Sequence, residues 1–251
     1  MLKLNTVNQG DCLELMADIP DGSVDMVMAD PPYGTTACKW DSIIPLDEMW
    51  KHLKRVVKPN GAIVMTASQP FTTKLISSNM EWFKYCWVWE KNIVTGFMSA
   101  KIRPMKKHED IVIFGSFSLM PQRFSGIYNS LGLIMTKVKS YSNKRNDGRV
   151  FGNRRPGTSD SGKNYPSDVL RIDCDSSIIH PTQKPVALMG YLIRTYTNEG
   201  NTVLDFCCGS GTTGVACKRW GRDFILIEKE PEYCEIARKR LDAEDNLFSS
   251  L

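Results

Sequence analysis

Val24-Asp25-Met26-Val27-Met28-Ala29 runs straight into Asp30-Pro31-Pro32-Tyr33. The apolar run has the length and composition of a buried strand. Two prolines then end its hydrogen-bond ladder and stiffen the backbone. A carboxylate, a rigid carbonyl and an aromatic ring are therefore presented together at a strand's C-terminal edge, where open α/β sheets bind their ligands. Two acceptors beside a stacking surface suit a flat molecule with an exocyclic amino group.

Outward from that loop, strand and helix patterns alternate over the first ninety residues. Leu4 to Val7 reads as a strand ending at Gly10-Asp11, and Cys12 to Ala17 as a short helix. Leu46, Met49, Trp50, Leu53, Val56 and Val57 recur at helical spacing behind Pro45, and Lys58-Pro59-Asn60-Gly61 reads as the stop. Ala62 to Thr66 reads as a strand, Phe71 to Ser78 as a helix, and Tyr85 to Trp89 and Ile111 to Phe114 as two more strands. His108 and Glu109, just before the last of these, are expected in a structural turn, because the amino-group chemistry requires no histidine base. From Gly115 to about Asp175 periodicity fails, as in a functional loop region. Regular structure returns after His180-Pro181-Thr182-Gln183-Lys184-Pro185. A helix from Val186 is followed by strand, helix, strand and helix to Leu241, a βαβα unit.

The chain of 251 residues is 42% hydrophobic and 24% charged, ordinary for a globular protein. No apolar run approaches the roughly 20 residues that cross a bilayer, and the N-terminus has no signal-peptide core. A cytosolic enzyme with no membrane partner is expected. Eight scattered cysteines form no C-x-x-C pair, so reduced, mostly buried thiols and no metal are expected. Charge is uneven. Residues 91–171 hold 15 Lys and Arg against 5 Asp and Glu, whereas the remainder holds 17 against 23. A basic segment on an otherwise acidic scaffold is the footprint of a polyanion-binding region.

Gly209-Ser210-Gly211-Thr212-Thr213-Gly214 fits G-x-G-x-x-G, after a strand and opening a helix, and Glu228 closes the next strand about 20 residues on. This is a nucleotide signal in which Glu228 accepts ribose hydroxyls. A dinucleotide reading has an order problem. Only one further strand and helix follow, and a NAD-binding domain needs a second nucleotide-binding half.

Taken together, D-P-P-Y, H-P-T-Q-K-P and D-F-C-C-G-S-G-T-T resemble, in that order, the β class of S-adenosylmethionine-dependent DNA amino-methyltransferases, over nearly the whole chain. The resemblance implies an α/β fold: a permuted Rossmann-like methyltransferase whose mostly parallel twisted sheet has helices on both faces. It implies a catalytic half over 1–114, an irregular basic target-recognition insert over 115–178 and a cofactor-binding half over 179–251. Asp30, Pro31, Pro32 and Tyr33 match the target-base motif. Asp205, Phe206, Gly209, Gly211 and Thr212 match the loop around the methionine part of S-adenosylmethionine, Glu228 its ribose carboxylate, and Asp11 the acidic residue near its adenine. His180, Pro181 and Lys184 match the segment closing over the methionine end, where Lys184 can meet the cofactor carboxylate. One departure stands out: members often carry an aromatic two residues before the first glycine, and here Cys207 holds that place, with Phe206 one position earlier.

The implied activity is methylation of adenine N6 in a specific double-stranded DNA sequence, by base flipping and direct transfer. The nearest rival is cytosine-N4 methylation, whose enzymes more often carry Ser at the position of Asp30. A NAD-dependent oxidoreductase would account for the glycine loop alone. Arg103, Lys106, Lys107 and the cations up to Arg155 are expected on phosphates. Lys39 and Trp40 are candidates to fill the gap left by the flipped base. The resemblance also allows a homodimer and a cognate restriction endonuclease.

Overall fold

The structure, a computed structural model, describes residues 2–36, 41–116, 167–175 and 183–249. Its strands are β1 (Thr6–Gln9), β2 (Val24–Ala29), β3 (Val57–Ala67), β4 (Phe83–Thr95), β5 (Lys106–Phe114), β6 (Val169–Arg171), β7 (Thr202–Asp205) and β8 (Asp223–Glu228). Its α-helices are α1 (Cys12–Met16), α2 (Leu46–Val56), α3 (Phe71–Ser77), α4 (Val186–Tyr196), α5 (Thr212–Arg219) and α6 (Pro231–Ser249).

One sheet takes all eight strands in the order β1-β8-β7-β2-β3-β5-β4-β6. From β1 to β3 every neighbour is parallel. β5 runs antiparallel to both β3 and β4, and β6 parallel to β4. Apart from Asp25, which pairs with Lys58 near the start of the strand, the run at Val24–Ala29 is apolar without alternation because β2 is central and covered on both faces. Met26 and Met28 face α4, α5 and α6, packing with Leu188, Leu192, Val215 and Ala237. Val27 and Ala29 face α1, α2 and α3, packing with Met16, Met49, Leu53 and Phe71. Each helix contributes one apolar stripe to a layered core. Among the described residues no helix is long and apolar enough to cross a membrane.

Three local readings change. Lys58-Pro59-Asn60-Gly61 follows the last helical residue but lies inside β3. The register there slips, with Val24 opposite Val57 and Met26 opposite Ala62, so the turn residues bulge out of a strand that continues. His108 and Glu109 lie within β5 rather than in a turn before it. The irregular stretch contains β6, whose three residues are too few to show a period, and whose Leu170 pairs with Trp89.

This topology sets up the site. β1, β8, β7 and β2 are adjacent and parallel, so their C-terminal ends share one edge. Asp11, Glu228, Asp205 and Asp30 stand at or just beyond those four ends. β5 enters from the same edge, since Thr66 pairs with Ile111 and Ala67 with Asp110, which brings Glu109 to it as well.

Candidate active site

Two cavities open along that edge. The first, about 380 Å³, is lined by Asp11, Asp30, Pro32, Gln183, Lys184, Asp205, Cys207, Gly209, Thr212 and Glu228, among others. The second, about 470 Å³, is lined by Asp30, Pro31, Pro32, Tyr33, Trp89, Glu109, Gln183 and Lys184, among others. Asp30, Pro32, Gln183 and Lys184 line both, so the proline loop and the start of the Lys184 segment form the wall between them.

In the first cavity the glycine turn is held from below. Glu228 Oε2 accepts from the Gly209 amide and Oε1 from the Glu230 amide, both at 2.8 Å. Burial pushes the Glu228 carboxyl upward, against those amide donors. Gly209 has φ +51, and no heavy atom lies within 4 Å of where a Cβ would stand; that open face admits a ligand against the backbone. Gly211 caps α5 with φ +78 and turns toward α6, where a Cβ would stand 2.8 Å from Ala237 Cβ. Its place is thus in packing the turn, and it does not line the cavity.

Asp205 is buried at the end of β7. Oδ1 accepts from the Cys207 amide at 3.1 Å and Oδ2 from Thr213 Oγ1 at 2.5 Å. Burial raises its carboxyl to about 7, with smaller contributions from Asp30 and Glu228. Asp11 caps α1 by accepting from the Leu13 amide at 3.0 Å, and Lys229 Nζ lies 3.3 Å from its other oxygen. Thr212 is buried and accepts from Arg240 at 3.0 Å.

Phe206 requires a correction. Its ring is 1% exposed in the α1–α3 side of the core and does not line the cavity; Cys207, one residue on, does. The residue after the strand's last carboxylate turns inward, so the aromatic position is shifted into the core. Burial raises the Cys207 thiol well above its ordinary value, leaving a neutral apolar wall there.

At the wall between cavities, Asp30 gathers three donors among the described residues. Tyr33 Oη donates to Oδ1 at 2.8 Å, the Thr66 hydroxyl donates to the same oxygen, and Lys184 Nζ donates to Oδ2 at 2.7 Å. A carboxylate has about four acceptor positions, so one remains. Burial, then the Asp30 charge, raises the Tyr33 phenol well above its ordinary value, which keeps it a donor. The Tyr33 ring stacks on Phe71, with centroids 5.3 Å apart and planes 22° from parallel. Lys184 Nζ is 5.7 Å from the Tyr33 centroid.

Lys184 therefore stands on the proline loop, and among the described residues it pairs with two carboxylates: Asp30 at 2.7 Å and Glu109 at 3.2 Å. Burial opposes its charge, but Asp30 and Glu109 outweigh burial and its ammonium shifts upward. Glu109 shifts downward because Lys184 and Lys91 outweigh its own burial. Lys91 completes the chain at 3.0 Å from Glu109.

Sequence reasoning missed Glu109, Lys91 and Thr66, whose roles come from distant partners. It also missed Asp41, whose carboxylate accepts from the amides of Gly34, Thr35 and Thr36 at 2.8, 2.9 and 2.6 Å. That Asp–amide cluster shapes the loop after Tyr33, and a local signal existed: a carboxylate a few residues past a glycine turn. His180 and Pro181, Lys39 and Trp40, and the cations from Arg123 to Arg155 lie outside the described residues.

A family model described as DNA methylase, of the N6/N4 type, matches residues 24–239. Type II methyltransferase M.HpaI of Haemophilus parainfluenzae is 28% identical over 262 residues, 96% of this chain and 75% of that protein. Among solved structures, the M1.HpyAVI–SAM complex aligns with a TM-score of 0.64 at 26% identity, covering 94% of this chain and 98% of that one. The cytosine-N4-specific PvuII DNA methyltransferase shares the fold, with a TM-score of 0.69 at 17% identity over 97% of this chain and 90% of that one.

Proposed function

The chain belongs to the N6/N4 family of DNA methylases, and from that premise we propose that it methylates the N6 amino group of adenine in a specific duplex DNA sequence. It acts on DNA, and its methyl donor is S-adenosylmethionine. The carrying observation is the shared wall: Asp30, Pro32, Gln183 and Lys184 line both cavities, so a donor in one and a base in the other meet at the proline loop.

The residues of the first cavity suit the donor. The open face at Gly209 accepts a flat nucleoside against the backbone. In this reading Glu228 accepts from the ribose hydroxyls and Asp11 faces the adenine end, both on the lining of the first cavity. Asp205, with Asp30 nearby, offers negative charge to a ligand whose ammonium and sulfonium are cationic. Bound S-adenosylmethionine supplies an electrophilic methyl group.

The chain's own contribution is to prepare the amino nitrogen. An adenine amino group is a weak nucleophile because its lone pair is delocalised into the ring. The last acceptor position of Asp30 and the Pro31 carbonyl accept hydrogen bonds from its two N–H groups, drawing the nitrogen toward tetrahedral geometry; as the N–CH3 bond forms and the S–CH3 bond breaks, one of these protons is released. Tyr33 donates to Asp30 and offers its ring beside the base, a contact worth about 1–3 kcal/mol. Most of the rate then comes from positioning. In this reading residues 1–114 form the catalytic half, 115–178 the target-recognition insert and 179–251 the cofactor half. Asp30 rather than Ser at the motif's first position favours adenine over cytosine.

Incubation with tritiated S-adenosylmethionine and duplex DNA, followed by nucleoside chromatography, tests the proposal. Label in N6-methyladenine is expected. Label in N4-methylcytosine would overturn the base assignment, and no label in DNA would overturn the activity.

A further inference from the structure

The β4–β5 hairpin exposes an apolar surface that neither the donor site nor the base site uses. Beyond the pair Thr95–Lys106, the chain forms an ordered tip. Gly96, with φ +92, starts a short 3-10 turn over Phe97–Ser99. Amides of Ser99, Ala100, Ile102 and Arg103 donate to carbonyls within the same tip. On this ordered turn Phe97 is 82% exposed, Met98 99% and Ile102 89%. Three large apolar side chains so displayed mark an interaction surface.

Two further observations identify the occupant. The first is charge: at the root of the arm Lys91 and Lys107 pair with Glu109 and Glu90 and Lys106 donates to Ser68 and Gln69, while the tip over residues 96–105 carries Lys101 and Arg103 with no Asp or Glu. Lys101 and Arg103 are exposed on the tip itself. Apposing two copies of this tip would set cations against cations without a carboxylate from either tip, whereas a polyanion matches it. The second is continuity. Ile93, Thr95 and Lys106, at the root of the arm, line the same cavity as Asp30 and Tyr33. The arm therefore rises from the rim of the pocket that takes the base.

We propose that this hairpin is a DNA wedge: Phe97 and Met98 enter the base stack at the target step while Lys101 and Arg103 hold the flanking phosphates. Phe, Met and Ile are the side chains that proteins insert between base steps, where they repay the unstacking of a kinked or opened duplex. A base leaving the stack for the pocket creates a gap beside the arm, and the apolar tip fills it. The inference rests on the reading of the second cavity as the base pocket.

The test compares wild type with the Phe97→Ala, Met98→Ala double variant on two synthetic duplexes containing the sequence that methylation mapping of DNA from expressing cells identifies. One duplex is fully paired; the other places an abasic site opposite the target base, so no pair has to be opened. The exposed tip leaves the core intact in this variant, and Lys101→Gln, Arg103→Gln serves as a second probe. The double variant is expected to lose about tenfold in kcat/KM on the paired duplex and to recover most of it on the abasic one. Its 2-aminopurine fluorescence increase at the target position should fall in parallel. The charge variant should lose affinity for both duplexes and show a shallower salt dependence. Equal activity of double variant and wild type on the paired duplex would overturn the wedge. So would an equal loss on both duplexes accompanied by a change in sedimentation, which would make the arm a contact between copies. Failure of the underlying reading looks different: wild type itself would label cytosine or leave DNA unlabelled.

Discussion

Lys184 Nζ lies 2.7 Å from Asp30 Oδ2 and 3.2 Å from Glu109 Oε2, so one buried ammonium joins the carboxylate after β2 to one inside β5. Lys184 and Glu109 side chains are 8% and 16% exposed and Asp30 22%, so solvent screens these pairs little. Removing the ammonium leaves two carboxylates facing each other with Lys91 alone to balance them. Lys184→Met should cost about 3 kcal/mol of stability, read from urea unfolding, and should abolish methyl transfer. A variant as stable as wild type would show that the two carboxylates are solvated independently.

In the proposed reaction Glu109 acts through Lys184, which it pairs with at 3.2 Å. Glu109→Gln keeps size and shape but leaves the Lys184 charge balanced by Asp30 alone, tightening that pair at the expense of the target amino group. Turnover is expected to fall about tenfold, equal to ~1.4 kcal/mol of barrier. The dissociation constant for S-adenosylmethionine, measured by calorimetry, should stay within about twofold because Glu109 lines the other cavity.

Glu228 secures the glycine turn with both carboxylate oxygens. Glu228→Ala removes these acceptors together with the group placed on the ribose. S-adenosylmethionine should bind at least about tenfold more weakly, the size expected when a charged hydrogen-bonding group is lost. Turnover at saturating donor should be less affected. An unchanged dissociation constant would count against the ribose role.

Asp205 predicts a pH dependence. Its carboxyl is raised to about 7, whereas an unfolded chain releases that proton near 3.9. Between those values the folded protein holds a proton that the unfolded chain has lost, so the Asp205 contribution to stability falls as pH rises from about 4 to about 7 and is constant outside that window. Asp205→Asn should flatten the fall, as followed by urea midpoints at several pH values. A ligand cation beside Asp205 favours the ionised form, so donor affinity should improve as pH rises through the same range. The Asn variant should lose that trend too.

Gly211 tests the packing of the turn. A Cβ there would stand 2.8 Å from Ala237 Cβ and 3.2 Å from its Cα, at φ +78. Backbone and α6 would both have to yield, so Gly211→Ala should destabilise by about 1–3 kcal/mol, read as a lower Tm. Substitution at Gly209, with open space around its Cβ position, should act mainly on donor binding.

Much of the architecture was legible because it is local. The apolar run of β2, the proline stop after it and the glycine turn before α5 announce themselves within ten residues. Strand-end carboxylates at Asp11, Asp30, Asp205 and Glu228 could be named because each closes a readable element. Glu109 escaped for the opposite reason. Lys106 to Asp110 is polar, since this end of β5 lies at the ligand-binding edge and not in the core, and a polar segment before an apolar one reads as a turn. The spacing shows Phe206 one position before the usual aromatic, but only the packing shows that this turns its ring into the core and leaves Cys207 on the wall.

By itself the sequence determined the mostly parallel α/β class, the order of its motifs and the carboxylates at the strand ends, because periodicity, proline stops and glycine turns are short-range properties of the chain. Tertiary structure alone decided which ends meet. Asp30 and Lys184 are 154 residues apart, and they touch because β7 pairs with β2 and sets the C-terminal strands and helices beside the proline loop. That pairing is fixed by burial of both faces of β2 between two helical layers, a cooperative energy that no local pattern records.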